Sequence, residues 1–273
     1  MKWRILKSGK LNPAENMAID EAILNGIIHG RSVPTIRFYG WEPATVSCGY
    51  HQSAEKEVDF VALKEFGFSF VRRPTGGRLV LHNEEVTYSV IAPTSGKFSG
   101  NVTEIYSEIS KVLASGFSML GIDVDFEKGE LCSKEQRQSS NPCFSSSSRF
   151  ELSYKGKKIV GSAQLRKENA FLQHGSILLD HNQNQIAFLL PDLEKEKREK
   201  LASTLSKKTI SINEIVSSKI SFSQACDIFE QAFKKSWQSD EFCNTASLEE
   251  FEKSNVKLLV NNKYASNKWN KRK

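Results

Sequence analysis

Apolar positions along the chain fall into two rhythms, and the two alternate. Met17, Ala18, Ile19, Ala22, Ile23 and Ile27 recur on roughly one face, the period of an amphipathic helix. Asn12 can cap that helix, Pro13 fits its first turn, and Glu15 completes a box-like start. Asp20 and Glu21 then read as solvated-face residues. The runs 35–39 and 45–50 predict strands flanking the turn Gly40-Trp41-Glu42-Pro43. Residues 58–66 predict a short helix. The runs 68–71 and 86–90 are strand-like, and the Gly-Gly turn between them reads as a hairpin turn or a ligand loop. A longer helix is expected over 101–120, with Ile105, Ile109, Val112, Leu113 and Phe117 inward and Gly121 ending it, then a strand over 123–126. A hairpin pairs 151–154 with 158–164 across Lys155-Gly156-Lys157, and 171–179 is a further strand. Beyond Asp180 the pattern turns helical, over 187–190, 194–205, 212–216, 223–237 and 248–260. The tail 264–270 reads as a short docking segment or as disordered. The order of elements predicts an α/β chain built on an α+β type of mixed sheet.

Composition narrows this only a little. The 273 residues suit one large domain, or one domain with a small appendage. Apolar content of 39% and charged content of 26% are ordinary for a globular chain with a real core. No apolar run approaches the ~18–20 residues that would span a bilayer. The start, Met1-Lys2-Trp3-Arg4, lacks an apolar stretch of the secretory kind. The five cysteines are odd in number and have no C-x-x-C pair, which argues against a disulfide framework and against structural zinc. A cytoplasmic location is the expectation. The net charge of +6, with Lys268, Lys271, Arg272 and Lys273 clustered at the end, suits acidic partners or serves solubility alone.

The candidate chemistry gathers in three places. Arg72, Arg73 and Arg78 crowd Gly76-Gly77, with His82 just beyond. Glycines let backbone amides approach a ligand, and the cations point to an anionic or polarised one. The segment 127–149 is long, polar and poor in apolar residues, and holds Cys143. A reactive cysteine needs access and a setting that favours thiolate, which this loop offers; an exposed bystander thiol is the alternative. Cys48 and Cys226 read as packed core. On the hairpin, strict alternation puts Lys158, Val160 and Ser162 on one face, so Lys158 points into a pocket or is a solvated hairpin lysine. His82 and His174 are each a general base or a hydrogen-bonded structural histidine. Neither a P-loop nor G-x-G-x-x-G is present, and no histidine pair has the H-x-x-x-H spacing of metal ligands.

Taken together, Arg72-Arg73-Pro74-Thr75-Gly76-Gly77-Arg78, His82, Glu85-Val86-Thr87-Tyr88-Ser89, Lys158-Ile159-Val160-Gly161-Ser162-Ala163-Gln164 and Gln173-His174-Gly175-Ser176-Ile177 resemble the signatures of the lipoate–protein ligase and octanoyltransferase superfamily. Asn16-Met17-Ala18-Ile19-Asp20-Glu21, Arg37-Phe38-Tyr39-Gly40-Trp41 and Lys263-Tyr264-Ala265-Ser266-Asn267-Lys268-Trp269 fit as well, so the likeness spans nearly the whole chain. Within it the chain is most similar to the octanoyl-carrier-protein:protein octanoyltransferases whose cysteine precedes the Lys-x-x-Gly-Ser-Ala-Gln strand.

The resemblance implies the catalytic-domain fold of biotin and lipoate protein ligases. The catalytic unit covers 1–246, helical from about 187, and a C-terminal helix and basic docking tail cover 247–273. Cys143 is implied as acyl acceptor and Lys158 as catalytic lysine. Arg73, Gly76, Gly77, Arg78, His82, Gly161, Ser162, Gln164 and His174 are implied as substrate-binding. The implied donor is octanoyl-acyl carrier protein. The acceptors are lipoyl-domain proteins, such as glycine cleavage H protein and 2-oxoacid dehydrogenase subunits. No separate cofactor, metal, nucleic acid or membrane is expected. The alternatives are an amidotransferase between lipoyl domains, an ATP-dependent lipoate–protein ligase, and a noncatalytic basic binding module.

Overall fold

A computed structural model describes residues 1–128, 149–180, 183–243 and 247–272. The largest element is an eight-stranded mixed sheet. Its strands in chain order are β1 (Lys2–Leu11), β2 (Thr35–Trp41), β6 (Glu85–Pro93), β7 (Asp125–Lys128), β8 (Arg149–Tyr154), β9 (Lys157–Lys167), β10 (Ala170–Leu178) and β11 (Glu241–Cys243). Across the sheet they run β11-β1-β2-β6-β10-β9-β8-β7. β11, β1 and β2 are parallel, and every pairing from β2 onward is antiparallel. A smaller sheet, β4-β3-β5, holds β3 (Thr45–Cys48), β4 (Ser69–Arg72) and β5 (Val80–His82).

Helices cover both faces of the large sheet. On one face lie α4 (Val102–Met119) and α6 (Phe222–Ser236). Their Ile105, Ile109, Leu113, Phe117, Phe229 and Phe233 pack on Ile36, Phe38, Val86 and Val90 of the strands. Asn101 caps α4 with both halves of a capping box. On the other face, α1 (Pro13–Ile28) sets Ile19, Ile23 and Ile27 against Leu6, Ile91 and Leu172. Asn12 caps α1 through the Glu15 amide, as its sequence predicts.

α1 differs from expectation in having no solvated side at its middle. α7 (Glu250–Leu259) and the turn Val260–Tyr264 lie over its back, so a helix read as amphipathic is buried nearly all round. Asp20 is therefore fully buried, and Glu21 is bonded to Lys263 and Tyr264. The tail continues into α8 (Asn267–Asn270), which packs against β4.

The small sheet carries its own apolar cluster. Val46, Leu79 and Leu81 meet Leu63 of α3 (Phe60–Glu65), which follows the single turn α2 (Ala54–Glu57). Leu189 and, from α5 (Lys195–Lys208), Leu205 close the cluster. The Gly-Gly segment joins β4 to β5, which are not hairpin partners: β3 lies between them, parallel to β4 and antiparallel to β5. The expectation of a hairpin turn is thus corrected. The segment is a crossover at one end of the small sheet, and Gly77 takes the left-handed φ of +96° that this path requires. The β8–β9 hairpin forms as expected, but its turn is shorter than read from sequence, because Lys157 already pairs with Tyr154. Lys155 and Gly156 both have positive φ, the two-residue turn that follows strand twist.

Candidate active site

β2, β6 and β10 are buried along nearly their whole length, yet each carries polar side chains at every second position toward α1. Register aligns these into rows. Arg37 lies beside Ser89, Ser89 beside His174, and His174 beside Ala163 of β9. In the next row Tyr39, Thr87, Ser176 and Gly161 are neighbours. The rows floor a pocket of about 410 Å³, counted to its open mouth. Its sides include Met17 of α1, and Ser47, Arg73, Val80 and His82 of the small sheet and crossover.

The first polar group is built on Asp20. Its carboxylate accepts from Arg37 Nη1 at 2.9 Å, from Ser89 Oγ at 3.0 Å and from the Tyr39 hydroxyl at 2.9 Å. Asn16 Oδ1 takes a second Arg37 donor at 2.7 Å. Burial pushes the Asp20 carboxyl up, but the Arg37 guanidinium, helped by His174, outweighs it and holds it below the usual carboxylate value. His174 Nδ1 lies 3.3 Å from the same carboxylate, and its Nε2 is 2.7 Å from Thr75 Oγ1. Burial holds this imidazole below its ordinary value, against the pull of Asp20. An ionised carboxylate only accepts, so Nδ1 carries the proton and Thr75 donates to Nε2.

A second group runs parallel to it. Ser47 Oγ is 2.7 Å from His82 Nε2, and His82 Nδ1 is 2.7 Å from Glu85 Oε1. Thr87 and Ser176 also donate to Glu85, and Trp41 Nε1 donates to Thr87 at 2.7 Å. The Trp41 ring stacks on His82 with centroids 4.2 Å apart. Ser47, His82 and Glu85 are all buried.

Arg72 and Arg73 both donate to backbone carbonyls within the chain. Arg72 is wholly buried and donates to the carbonyls of Gly49, Tyr50, Gln52, Trp269, Asn270 and Arg272. It ties the C-terminal tail to the start of the crossover. Arg73 lines the pocket, and its donors reach Ser47 O and Oγ, Gly76 O and Arg78 O. It braces the Gly-Gly crossover against β3.

Of the residues singled out from sequence, Arg73, His82, Gly161, Ser162 and His174 line the pocket. Gly76, Gly77, Arg78 and Gln164 are not among its lining. Gln164 instead donates to Gln173 at 2.9 Å, which donates to the Tyr88 hydroxyl at 3.0 Å. That hydroxyl, pushed up to about 12 by burial, is 2.8 Å from Ser162 Oγ. Cys48 and Cys226 are core residues as read, with burial pushing their thiols to about 11 and about 12. Cys143 lies outside the described residues.

Lys158 is buried at 7% exposure, and its place in the sheet corrects the alternation read from sequence. Leu152 pairs with Val160, while the next residue, Ser153, pairs with Lys158. β9 therefore holds an extra residue, a bulge, and Ile159 and Val160 both enter the apolar cluster under α4. The bulge moves Lys158 off the face of Val160 and into the alternation of Gly161 and Ala163, which line the pocket, although Lys158 itself is not among the lining.

Sequence reasoning gave no site role to Ser47, and named Asp20, Arg37, Tyr39, Trp41 and Glu85 only within the family-like segments. Their signal was present as Glu85, Thr87 and Ser89 alternating with Val86, Tyr88 and Val90. A polar stripe on a strand apolar enough to be buried on both faces marks a site rather than a solvent face. Among the described residues no cluster of His, Cys, Asp and Glu is arranged to hold a metal ion. No helix among them is long and apolar enough to cross a membrane.

Comparison with known proteins adds the following. The family model for the lipoyl protein ligase A/B catalytic domain matches residues 12–234. The chain is similar to octanoyltransferase LipM of Geobacillus kaustophilus (strain HTA426), 42% identical over 276 residues that cover 98% of this chain and 97% of that one. It is likewise similar to octanoyltransferase LipM of Bacillus subtilis (strain 168), 39% identical over 278 residues with the same coverage, 98% and 97%. Among solved structures, a bi-partite lipoate protein ligase from Thermoplasma acidophilum, studied with its E2 lipoyl domain, superposes with a TM-score of 0.80 at 24% identity, covering 100% of this chain and 97% of that one. At that identity the likeness is one of fold.

Proposed function

The chain belongs to the lipoyl protein ligase A/B catalytic-domain family, and from that premise we infer that it is an octanoyltransferase of lipoate assembly. The observation that carries this reading is identity near 40% with octanoyltransferases over almost the full length of both chains. The acceptor is a lysine of a lipoyl domain, in keeping with the octanoyl-transfer role and with the lipoyl-domain partner of the Thermoplasma ligase. The donor is octanoyl-acyl carrier protein, whose acidic surface suits a chain of net charge +6.

The reaction runs in two steps. Cys143 thiolate attacks the donor thioester, a new thioester forms on the enzyme, and the carrier thiol leaves with a proton. The lysine ε-amine then attacks that thioester, the C–N bond forms, the C–S bond breaks and Cys143 is released. Thiol exchange is nearly thermoneutral and amide formation is downhill, so neither nucleotide nor cofactor is consumed. Splitting one transfer in two is what a covalent intermediate contributes. Lys158, buried on the bulge of β9, acts on the carbonyl and relays the thiol proton. The largely apolar pocket takes the acyl chain. At about 0.8 kcal/mol per buried methylene, the chain contributes roughly 5 kcal/mol of binding, enough for pocket depth to select length.

The test is transfer to an apo lipoyl domain from octanoyl-acyl carrier protein with no nucleotide present. Octanoylation of the lipoyl lysine supports the reading. Modification that appears only with ATP and free octanoate or lipoate assigns the chain to ligase chemistry instead. Octanoylation from an acyl-lipoyl protein but not from the carrier protein assigns it to amidotransfer.

A further inference from the structure

The two hydroxyl–imidazole–carboxylate chains in the pocket look alike in distance but differ in charge. Asp20 is neutralised by Arg37 at 2.9 Å, and both side chains are wholly buried. Burial holds the His174 imidazole beside that ion pair below its ordinary value in spite of Asp20. Among the described residues Glu85 is bonded to no arginine or lysine: its donors are His82 and the neutral hydroxyls of Thr87 and Ser176. His82 Nδ1 lies 2.7 Å from that buried carboxylate, and its ring stacks on Trp41 with centroids 4.2 Å apart. The charged and titratable groups around this imidazole are Glu85 of β6, Arg73 of the crossover, and His174 of β10 with Asp20 of α1 behind it.

The His82 lone pair is not itself open to a substrate, because Ser47 fills it. Ser47, though buried, is the end of the chain that lines the pocket wall. Its hydroxyl has one proton, directed to His82 Nε2, and two lone pairs, one of which takes Arg73 Nη1 at 3.0 Å. Among the described residues no other group bonds the Ser47 oxygen, which leaves one acceptor site on an atom of the pocket wall.

We propose that Ser47 is a catalytic residue for the second step, receiving the proton of the attacking lysine amine through its free lone pair while handing its own to His82. The inference rests on the acyl-enzyme reading above. The balance is simple. The neutral amine forms the C–N bond, and the N–H proton moves to Ser47 Oγ. The Ser47 proton moves to His82 Nε2, giving an imidazolium held by Glu85. The C–S bond breaks and thiolate leaves. His82 returns its proton to the leaving thiolate or to water before the next turnover. Arg73 keeps the Ser47 hydroxyl aimed, and His82 and Glu85 act through Ser47 as positioning residues.

The test is single-turnover discharge of the full-length octanoyl-enzyme, loaded from octanoyl-acyl carrier protein. Parent, Ser47→Ala and His82→Asn are each discharged once by apo lipoyl domain and once by hydroxylamine. Hydroxylamine is a weakly basic nucleophile that needs no help in losing its proton. Removing a general base slows the step that uses it by about 10²–10⁴-fold. Both variants are expected to lose that factor against the lipoyl lysine while discharging to hydroxylamine at the parent rate. Equal losses with both nucleophiles would make Ser47 and His82 structural, and parent rates with both would make them bystanders. A variant that cannot be loaded assigns these residues to pocket integrity. Each of these outcomes overturns the proposal. If the parent itself forms no acyl-enzyme, the transferase reading falls first and takes this proposal with it.

Discussion

Gly175 sits on β10 in the lining of the pocket, and replacing it with alanine is a direct test of how the sheet shapes the site. A Cβ built there would lie 2.5 Å from Ser162 Oγ, 2.7 Å from the Gly161 carbonyl oxygen and 2.7 Å from Tyr88 Cε1. Real Cβ contacts do not come closer than 3.0 Å. None of the three neighbours yields easily. One is backbone of β9, one is a buried ring, and the Ser162 hydroxyl is bonded to that ring's oxygen at 2.8 Å. β9 must therefore retreat from β10 by about half an ångström, an overpacking that costs about 1–3 kcal/mol. For a chain of this size that is a fall in Tm of a few degrees to about 10 °C. The same shift displaces Gly161 and Ala163 from the pocket wall. Misplacement by ~1 Å costs about 10²-fold in rate, so half of that costs about 10-fold or more. The assays are thermal unfolding and steady-state octanoyl transfer to a lipoyl domain. Gly76→Ala is the control, because a Cβ there meets nothing within 4 Å. It should melt with the parent. Gly175→Ala with parent Tm and parent rate would refute the claim that backbone contact between β9 and β10 sets the pocket.

Three further outcomes follow from the same structure. Asp20→Asn leaves the wholly buried Arg37 charge without its carboxylate, and chemical unfolding should show a loss of about 3–5 kcal/mol. Arg72→Met removes a guanidinium from six backbone carbonyls, and should cost about 3 kcal/mol or more while making the tail 264–272 sensitive to protease. Burial pushes the Asp240 carboxyl up, but the Lys97, N-terminal and Trp3 donors outweigh it and hold it at about 2, below its ordinary 3.8. A depressed carboxyl stabilises the fold above its unfolded value and loses that contribution as pH falls through its folded one. Acid titration of stability should therefore lose part of its fall between pH 3.8 and about 2 in Asp240→Asn, and an unchanged profile would contradict this.

What could be read from the sequence was whatever depends on neighbours in the chain. The Asn12 cap of α1, the end of α4 at Gly121 and the tight turn at Gly156 are local, and all stand where the residues predict them. Misreadings came from partners far away in sequence. β1 was passed over because its charges break the apolar alternation, yet Arg4 is buried by a bidentate bond to Glu252. Asp20 was set on a solvated face because nothing local announces that α7 will cover α1. The Gly-Gly segment looked like a hairpin because the insertion of β3 between β4 and β5 is a non-local pairing. The face of Lys158 was misjudged because one extra residue in β9 shifts every side chain before it to the other side. His82 and His174 were named as equal candidates. Their difference lies in what neutralises the carboxylate behind each, which is a property of the assembled pocket.

The most direct measurement is the intact mass of the protein after incubation with octanoyl-acyl carrier protein in the absence of ATP. The account predicts one octanoyl adduct, removed by hydroxylamine, absent as a thioester from Cys143→Ser, and discharged by apo lipoyl domain. A parent protein that stays unmodified, yet octanoylates the lipoyl domain when ATP and free octanoate are supplied, would contradict it and leave Cys143 without a role in the transfer.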